Sequence, residues 1–127
     1  MSSLRRAAEG ARDNAYAPYS GFRVGAALET ADGTVVTGCN VENASYGLTI
    51  CAERSAIVAA VSAGHRNFRR LVLVSDANEP IAPCGACRQV LLEFAPSMII
   101  ESHAGDRTVT WTVTQLIPAG FSGDVLQ

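Results

Sequence analysis

The sequence lacks any apolar run of the roughly 18 residues that a membrane-spanning helix needs, although 48% of its 127 residues are apolar. Its first residues, Met-Ser-Ser-Leu-Arg-Arg, are basic, but the apolar core of a secretory signal does not follow them. Internal repeats and linker-like segments are also missing. We therefore expect a single domain over residues 1–127, located in the cytoplasm.

The sequence also lacks a large excess of positive or negative charge, since the formal net charge is −2 and only 17% of the residues are charged. Proteins that bind nucleic acid usually display a basic stripe, and the largest basic cluster here is Arg66, Arg69 and Arg70. A solvated loop explains such a cluster more simply than a phosphate site does. We therefore expect neither a nucleic acid nor a membrane as a partner.

Cysteines are few, and the four present are Cys39, Cys51, Cys84 and Cys87. Without an export signal, cysteines serve more often as free thiols or metal ligands than as disulfides. Cys51 opens the segment Cys-Ala-Glu, and the last two cysteines belong to the segment Pro-Cys-Gly-Ala-Cys. Together these segments supply three thiolates and one carboxylate.

Apolar periodicity and turn residues predict an α/β fold. Helices are predicted over residues 2–15, 51–64 and 83–94, and strands over residues 22–29, 34–39, 71–75, 98–102 and 107–113. Asp32-Gly33 predicts a hairpin between the first two strands, residues 40–50 a loop, and residues 114–117 a short helical turn. The order predicts a three-layer α/β/α sandwich with a mixed five-stranded sheet. Within the second helix, the apolar segment 56–61 is expected to be deeply buried.

The three thiolates and the carboxylate predict a catalytic zinc site with one Zn²⁺ per subunit. Cys84 and Cys87 are three residues apart at the start of a predicted helix, so they share a face and can bind one ion. Cys51 completes a set of three ligands, which leaves the fourth tetrahedral position to water, as in catalytic zinc sites. Glu53 is not needed as a ligand and can take a proton from that water.

Three thiolates leave a zinc site with a net charge of −1, which would weaken its effect on a bound water. The N-termini of two predicted helices would offset this charge, since each carries about half a positive charge. We predict that Arg54 also donates a hydrogen bond to a thiolate. Gln89 and Arg88 are candidates for the same role beside Cys84 and Cys87.

Other interpretations of the same residues stay open at this point. A lone C-x-x-C is often a structural zinc knuckle, and Cys39 could complete a four-cysteine site, although it lacks a spacing partner. A redox pair is also conceivable, but a proline precedes the pair and the pattern of a thioredoxin-like fold is missing. Glu53 by itself could merely complement the helix dipole, and its place beside Cys51 favours a chemical role.

Taken together, these residues resemble the homotetrameric type of cytidine deaminase. A Cys-x-Glu and Pro-Cys-x-x-Cys signature is typical of the zinc deaminases as a superfamily. The resemblance covers nearly the whole chain, through residues 16–28, 39–46, 51–54 and 83–91. The Tyr-Ser-Gly-Phe stretch and the Asn-Val-Glu-Asn stretch narrow it to enzymes that act on nucleosides.

The resemblance implies a reaction and the residues that perform it. Cys51, Cys84 and Cys87 would bind zinc, and water activated there would attack C4 of the pyrimidine ring. Glu53 would carry a proton to N3 and later to the departing amine. Cytidine and 2′-deoxycytidine would yield uridine and 2′-deoxyuridine plus ammonia, in pyrimidine salvage, and the enzyme would be a homotetramer.

The resemblance also implies a set of residues that bind the nucleoside. Asn40 and Glu42 would contact the ribose, and the carboxylate would repel a 3′-phosphate. The other implied contacts, some of them across subunit boundaries, are Phe22, Ala44, Tyr46, Ala52 and Phe121. His65 and His103 match no function of the family and are expected on the surface or in loops, while Cys39 is expected to be a buried thiol.

Three alternative functions remain. A deaminase of a cytosine nucleoside antibiotic such as blasticidin S would share the zinc segments, and Phe22, Asn40 and Glu42 favour the nucleoside instead. A deaminase of single-stranded nucleic acid would need a basic groove, which is not visible in the sequence. In a binding module stapled by zinc, Glu53 would have no role.

Overall fold

The computed structural model describes residues 2–126. In chain order, its regular elements are α1 (Ser3–Asp13), β1 (Val24–Thr30), β2 (Val35–Cys39), α2 (Ala52–Ser62), β3 (Phe68–Ser75), α3 (Gly85–Phe94), β4 (Ile99–Ala104), β5 (Arg107–Thr112) and α4 (Val113–Leu116). Short 3₁₀ turns span Tyr46–Leu48 and Gly123–Leu126. Within this described part of the chain, none of the helices has the length and apolar character that crossing a membrane requires.

The five strands form one mixed sheet in the order β2-β1-β3-β4-β5. The β3–β4 pair is parallel, and the other three pairs are antiparallel. Residues 71–75 of β3 are buried without interruption, as expected for a strand covered on both faces. Helix α1 packs on one face of the sheet, and α2 and α3 cover the other. The predicted three-layer α/β/α sandwich with a mixed five-stranded sheet is thereby confirmed.

Boundaries differ from the prediction where charged or extended residues lie at the ends of elements. Strand β3 begins three residues earlier than predicted, at Phe68, because Phe68 and Arg70 pair with Thr30 and Glu29 of β1. Helix α3 begins two residues after Pro83, because Cys84 takes the N-cap with an extended backbone. This second shift places a cysteine at the helix N-terminus.

Glycines let two helices approach the sheet closely. A Cβ atom on Gly38 of β2 would lie 2.4 Å from the backbone nitrogen of Ala56 and 2.7 Å from the carbonyl oxygen of Ala52. On the other face, a Cβ atom on Gly25 would lie 1.9 Å from the carbonyl oxygen of Ala8 in α1. Helix α2 therefore rests directly on the backbone of β2, and this contact sets the position of the residues at its start.

The prediction that residues 56–61 are all deeply buried is wrong. Ala56, Ile57 and Ala60 are buried against the sheet, but Val58 is 59% exposed and Ala59 is exposed too. A helix on a sheet buries only one face, and these two residues lie on the outer one. The outer face of helix α2 therefore exposes apolar side chains at the surface of the chain.

The prediction for His103 is also wrong, because it is a buried residue of β4 with 7% of its surface exposed. His103 Nε2 lies 2.6 Å from Glu101 Oε2, and its Nδ1 lies 3.0 Å from Thr108 Oγ1 on β5. His65 lies in the loop after α2, as expected. Cys39 is only half-buried, because the alternation along β2 turns it away from α2, which Gly38 faces.

Candidate metal centre

Two helix N-termini bring three cysteines together. Cys51 is the N-cap of α2 and Cys84 is the N-cap of α3, and Cys87 lies in the first turn of α3. The three Sγ atoms lie within 4.8 Å of one another, and Cys51 Sγ is 3.7 Å from Cys84 Sγ. Among residues 2–126 the cluster does not include Cys39, which lies on the other face of β2.

The cluster fits one Zn²⁺. Zinc in tetrahedral coordination, with Zn–S bonds of about 2.3 Å, places its sulfur ligands about 3.8 Å apart, close to the 3.7 Å observed between Cys51 and Cys84. Soft thiolates favour zinc over harder ions such as Mg²⁺ and Ca²⁺. Cys87 is fully buried whereas Cys84 is exposed, so the sulfurs leave one side of the site open. Three ligands and an open side are the arrangement of a catalytic zinc site.

Positive charge surrounds the sulfur atoms. The N-termini of α2 and α3 begin at the two capping cysteines, and Arg54 Nη2 donates to Cys51 Sγ at 3.7 Å. The hydrogen bond from Cys87, followed by that from Arg54, lowers the pKa of the Cys51 thiol to about 5. Cys87 keeps the shared proton, so its own pKa is raised. Binding of a metal ion must displace that proton.

Gln89 does not compensate the thiolates as predicted. Its Nε2 donates to the carbonyl oxygen of Phe121 at 3.0 Å instead. Two residues along an α-helix correspond to a rotation of about 200°, so Gln89 lies on the opposite side of α3 from Cys87. Arg88 also donates to the backbone, since its Nε lies 2.7 Å from the carbonyl oxygen of Pro83.

Glu53 is a buried carboxyl group beside the sulfur cluster. It is the second residue of α2, and only 4% of its surface is exposed. Burial, assisted by the negative charge of Cys51, raises the pKa of Glu53 to about 7. A carboxyl group with this pKa can both accept and release a proton at neutral pH, which is the property of a general acid–base catalyst.

A cavity of about 220 Å³ opens above these groups. Its lining residues are Phe22, Val24, Asn40, Thr49, Cys51, Ala52, Glu53, Ile81, Ala82 and Cys84. The structure therefore brings the predicted residues Phe22, Asn40 and Ala52 to the sulfur cluster. Thr49 and Ile81 are not among the predicted residues, and their nearness to the cysteines in sequence is the signal that could have indicated them.

The predicted residues Glu42 and Tyr46 line a second cavity, of about 370 Å³, together with Tyr19, Ser20 and Thr49. Because Thr49 lines both cavities, the two are adjacent. Tyr19 and Ser20 belong to the Tyr-Ser-Gly-Phe stretch, but their individual roles are not predicted from the sequence. The smaller cavity borders the sulfur cluster, and the larger one shares Thr49 with it as a lining residue.

Two predicted residues, Ala44 and Phe121, are not brought to these cavities within the described chain. Ala44 is exposed in the loop before the 3₁₀ turn. Phe121 lines a separate depression on α3 with Gln89 and Phe94, and 59% of its surface is exposed. Neither residue lines the cavity that borders the sulfur cluster or the cavity beside it.

Comparison with known proteins identifies the family. The model of the cytidine and deoxycytidylate deaminase zinc-binding region matches residues 1–102. The chain belongs to this deaminase family. A cytidine deaminase from Sporosarcina psychrophila is 49% identical over 119 residues, which cover 91% of this chain and 87% of the relative. The resemblance proposed from the sequence motifs is thereby confirmed.

The fold of the deaminase family is matched as well. The crystal structure of a cytidine deaminase from Burkholderia pseudomallei has a TM-score of 0.91 and 47% identity, covering 95% of this chain and all of that one. A blasticidin-S deaminase from Bacillus cereus is more distant, at 32% identity over 107 residues, or 78% of this chain and 76% of the relative. This deaminase thus resembles enzymes of cytidine more than it resembles the antibiotic deaminase.

Proposed function

We propose that this chain is a zinc-dependent enzyme that hydrolyses cytidine to uridine and ammonia. The observation that carries the proposal is a buried Glu53 in the same cavity as three thiolates that fit one Zn²⁺. High identity to cytidine deaminases over most of the chain supports the same reaction. A structural zinc site would have no use for a buried carboxyl group whose pKa is raised by desolvation.

The chemistry of the site follows from its residues. Cys51, Cys84 and Cys87 would hold a zinc ion, which would supply a Lewis acid able to activate water at neutral pH. Glu53 accepts one proton of the attacking water and passes it to N3 of the ring. It then accepts the proton of the new C4 hydroxyl, which becomes the C4 carbonyl, and passes that proton to the departing amine. Water adds at C4, the C4–N4 bond breaks, and ammonia leaves, so one proton carrier serves every step. Phe22 forms an apolar wall that holds the ring and excludes bulk water.

Asn40 and Glu42 are proposed to contact the sugar. Asn40 Oδ1 accepts from the backbone N–H of Val24 at 2.9 Å, and its Nδ2 donates to the carbonyl of Phe22 at 2.8 Å. One Nδ2 hydrogen is left for a ligand. The hydrogen bond from Ser20 lowers the pKa of Glu42, which keeps this carboxylate ionised. A negative charge here favours nucleosides, ribose or 2′-deoxyribose, over their phosphates.

We also propose that the enzyme is a homotetramer whose subunits complete one another's sites. The outer face of α2 and the 3₁₀ turn expose apolar side chains, with Val58 at 59%, Leu48 at 65% and Tyr46 at 76%. Large apolar side chains left exposed on a helix face and on a neighbouring turn support contact with another subunit. Phe121 lies away from its own cavity and is free to reach another subunit's site.

The oligomer is tested with Val58→Arg and with the matched surface change Val109→Arg on β5. Light scattering after size exclusion should give four subunits for the wild type and for Val109→Arg. Val58→Arg should dissociate, keep its zinc and lose most of its turnover. A wild type that is monomeric and fully active would contradict the tetramer.

The reaction is tested by ultraviolet-monitored turnover of cytidine, with Glu53→Gln as the paired variant. The wild type should convert cytidine, and Glu53→Gln should bind zinc equally but lose about 10²–10⁴-fold in kcat, the usual contribution of general acid–base catalysis. Blasticidin S is assayed in parallel. Turnover of blasticidin S without turnover of cytidine would overturn the proposed substrate, and a fully active Glu53→Gln would overturn the proposed proton carrier.

A further inference from the structure

Ser20 connects two of the proposed substrate contacts. Its hydroxyl donates to Glu42 Oε2 and accepts from the backbone N–H of Phe22, whose nitrogen lies 3.0 Å away. The backbone nitrogens of Tyr19 and Ser20 lie 2.9 Å and 3.1 Å from Glu42 Oε1. One short turn therefore supplies three donors to a single carboxylate.

These donors leave Glu42 little freedom. An ionised carboxylate has about four acceptor positions, two on each oxygen. The two backbone N–H groups fill those of Oε1, and the Ser20 hydroxyl fills one of the two on Oε2. A single acceptor position remains, which suits one hydroxyl donor of a ligand in the adjacent cavity that Glu42 lines.

The Ser20 hydroxyl binds a different oxygen of Glu42 from the one that the backbone donors bind. Tyr19 and Ser20 N–H groups both bind Oε1, so on their own they leave Oε2 free to swing about that oxygen. The Ser20 hydroxyl is the contact that fixes Oε2 and thus the plane of the carboxylate. Fixing a rotatable side chain before a ligand arrives removes an entropic cost from binding.

We propose that Ser20 is a positioning residue that orients Glu42 toward one sugar hydroxyl and so sets the preference for nucleosides that carry it. The inference rests on the proposed function and adds a residue that acts through Glu42 rather than on the reacting atoms. It predicts an effect on KM, because the sugar lies away from the carbon that reacts.

The Ser20 hydroxyl accepts from the Phe22 N–H, but the turn is also held by backbone hydrogen bonds that do not involve this hydroxyl. Gly21 N donates to the Ala17 carbonyl at 2.9 Å, and its φ of +70° suits glycine. Tyr16 N donates to the Asn40 carbonyl at 3.0 Å, and Glu42 N donates to the Tyr16 carbonyl at 2.8 Å. Ser20 is exposed. Removing its hydroxyl should therefore leave the fold and the zinc site intact.

The test measures kcat and KM for Ser20→Ala and Ser20→Thr with cytidine, 2′-deoxycytidine and 3′-deoxycytidine. Ser20→Ala should raise KM for cytidine by about tenfold, the effect of one hydrogen bond to a charged group, with kcat within about twofold. The increase should disappear for the analogue that lacks the hydroxyl read by Glu42. Ser20→Thr, which keeps the hydroxyl, should restore the KM of the wild type.

Two controls separate positioning from structure. Ser97→Ala, at an exposed serine in the turn between α3 and β4, should match the wild type in both constants. Ser20→Ala should add nothing in a Glu42→Gln background, because the two residues act as a unit. Zinc content and thermal unfolding should be unchanged in Ser20→Ala.

Three results would overturn the inference. They are an unchanged KM with an unchanged kcat in Ser20→Ala, an unchanged KM with a lower kcat, or an equal increase in KM for all three nucleosides. If the wild type turns over cytidine and Ser20→Ala has the same constants, the role of Ser20 is contradicted but the proposed function is not. A wild type with no turnover of cytidine removes both.

Discussion

Replacing Gly38 with alanine is expected to disturb the metal centre without touching any of its residues. A Cβ atom at this position would lie 2.4 Å from the Ala56 nitrogen and 2.7 Å from the Ala52 carbonyl oxygen, and both neighbours are backbone of α2. Backbone cannot rotate away as a flexible side chain can. Relief to an ordinary contact of about 3.4 Å requires α2 to move by about 1 Å from β2.

The magnitude follows from that shift. Overpacking of a core typically costs about 1–3 kcal/mol, while the change from glycine to alanine returns about 0.4–1 kcal/mol through the unfolded chain. The net loss is therefore between about 0 and about 2.6 kcal/mol of unfolding free energy, with a central value of about 1 kcal/mol. Since α2 carries Cys51 and Glu53 at its start, a displacement of about 1 Å should also lower kcat/KM by about 10²-fold.

The assay combines urea unfolding, zinc content and cytidine turnover, with Gly10→Ala as the matched control. A Cβ atom on Gly10 of α1 meets nothing within 4 Å, so this change should stabilise the helix by up to about 1 kcal/mol and leave turnover alone. A Gly38→Ala protein with the stability and turnover of the wild type would refute the argument from close approach.

Three further outcomes are expected. Arg54→Ala should lower zinc affinity or kcat, because Cys51 Sγ loses a donor at 3.7 Å, and Arg54→Lys should lose less; equal zinc content and rate in all three proteins would contradict the role. Removal of zinc by a chelator should abolish turnover and lower Tm, with both restored by added zinc; turnover by the metal-free protein would contradict the mechanism. Asp32, bound by the Thr30 hydroxyl and by the Thr34 backbone N–H, has its pKa lowered to about 2, so it stabilises the fold above its ordinary pKa of 3.8 and that contribution is lost as the pH falls through 2. Asp32→Asn should therefore unfold more easily than the wild type at pH 6, and the difference should shrink between pH 4 and pH 2; a constant difference across this range would contradict the linkage.

Local sequence patterns predicted much of the fold because their causes are local. Ser2 caps α1 by accepting from the backbone N–H of Arg5, and Gly33 adopts the positive φ that the β1–β2 hairpin requires. Cys84 and Cys87 share a face because they lie one turn apart on the same helix. Features that depend only on neighbouring residues in the chain can be predicted from the sequence. The shared helix face of the two C-x-x-C cysteines is such a feature.

Predictions failed where an environment comes from distant residues. His103 was expected at the surface or in a loop, but it is buried in β4, where the parallel register places it beside Val74 of β3, a strand far earlier in the chain. Gln89 lies two residues after Cys87 and was expected to compensate a thiolate, but its amide donates to the Phe121 carbonyl instead. Val58 looked like a core residue until the position of α2 on the sheet decided which side faces outward.

The sequence by itself determined the donor chemistry of this deaminase, namely three thiolates, a free carboxyl group and helix starts to hold them. Only the tertiary structure decided that Cys51, 33 residues before Cys84, comes within 3.7 Å of it, and that Cys39 stays out of the cluster. The same holds for the pKa of Glu53, which burial raises to about 7. The distances between the sulfur atoms and the burial of Glu53 depend on how α2 and α3 pack on the sheet. That packing is determined by many contacts between residues that are far apart in the chain.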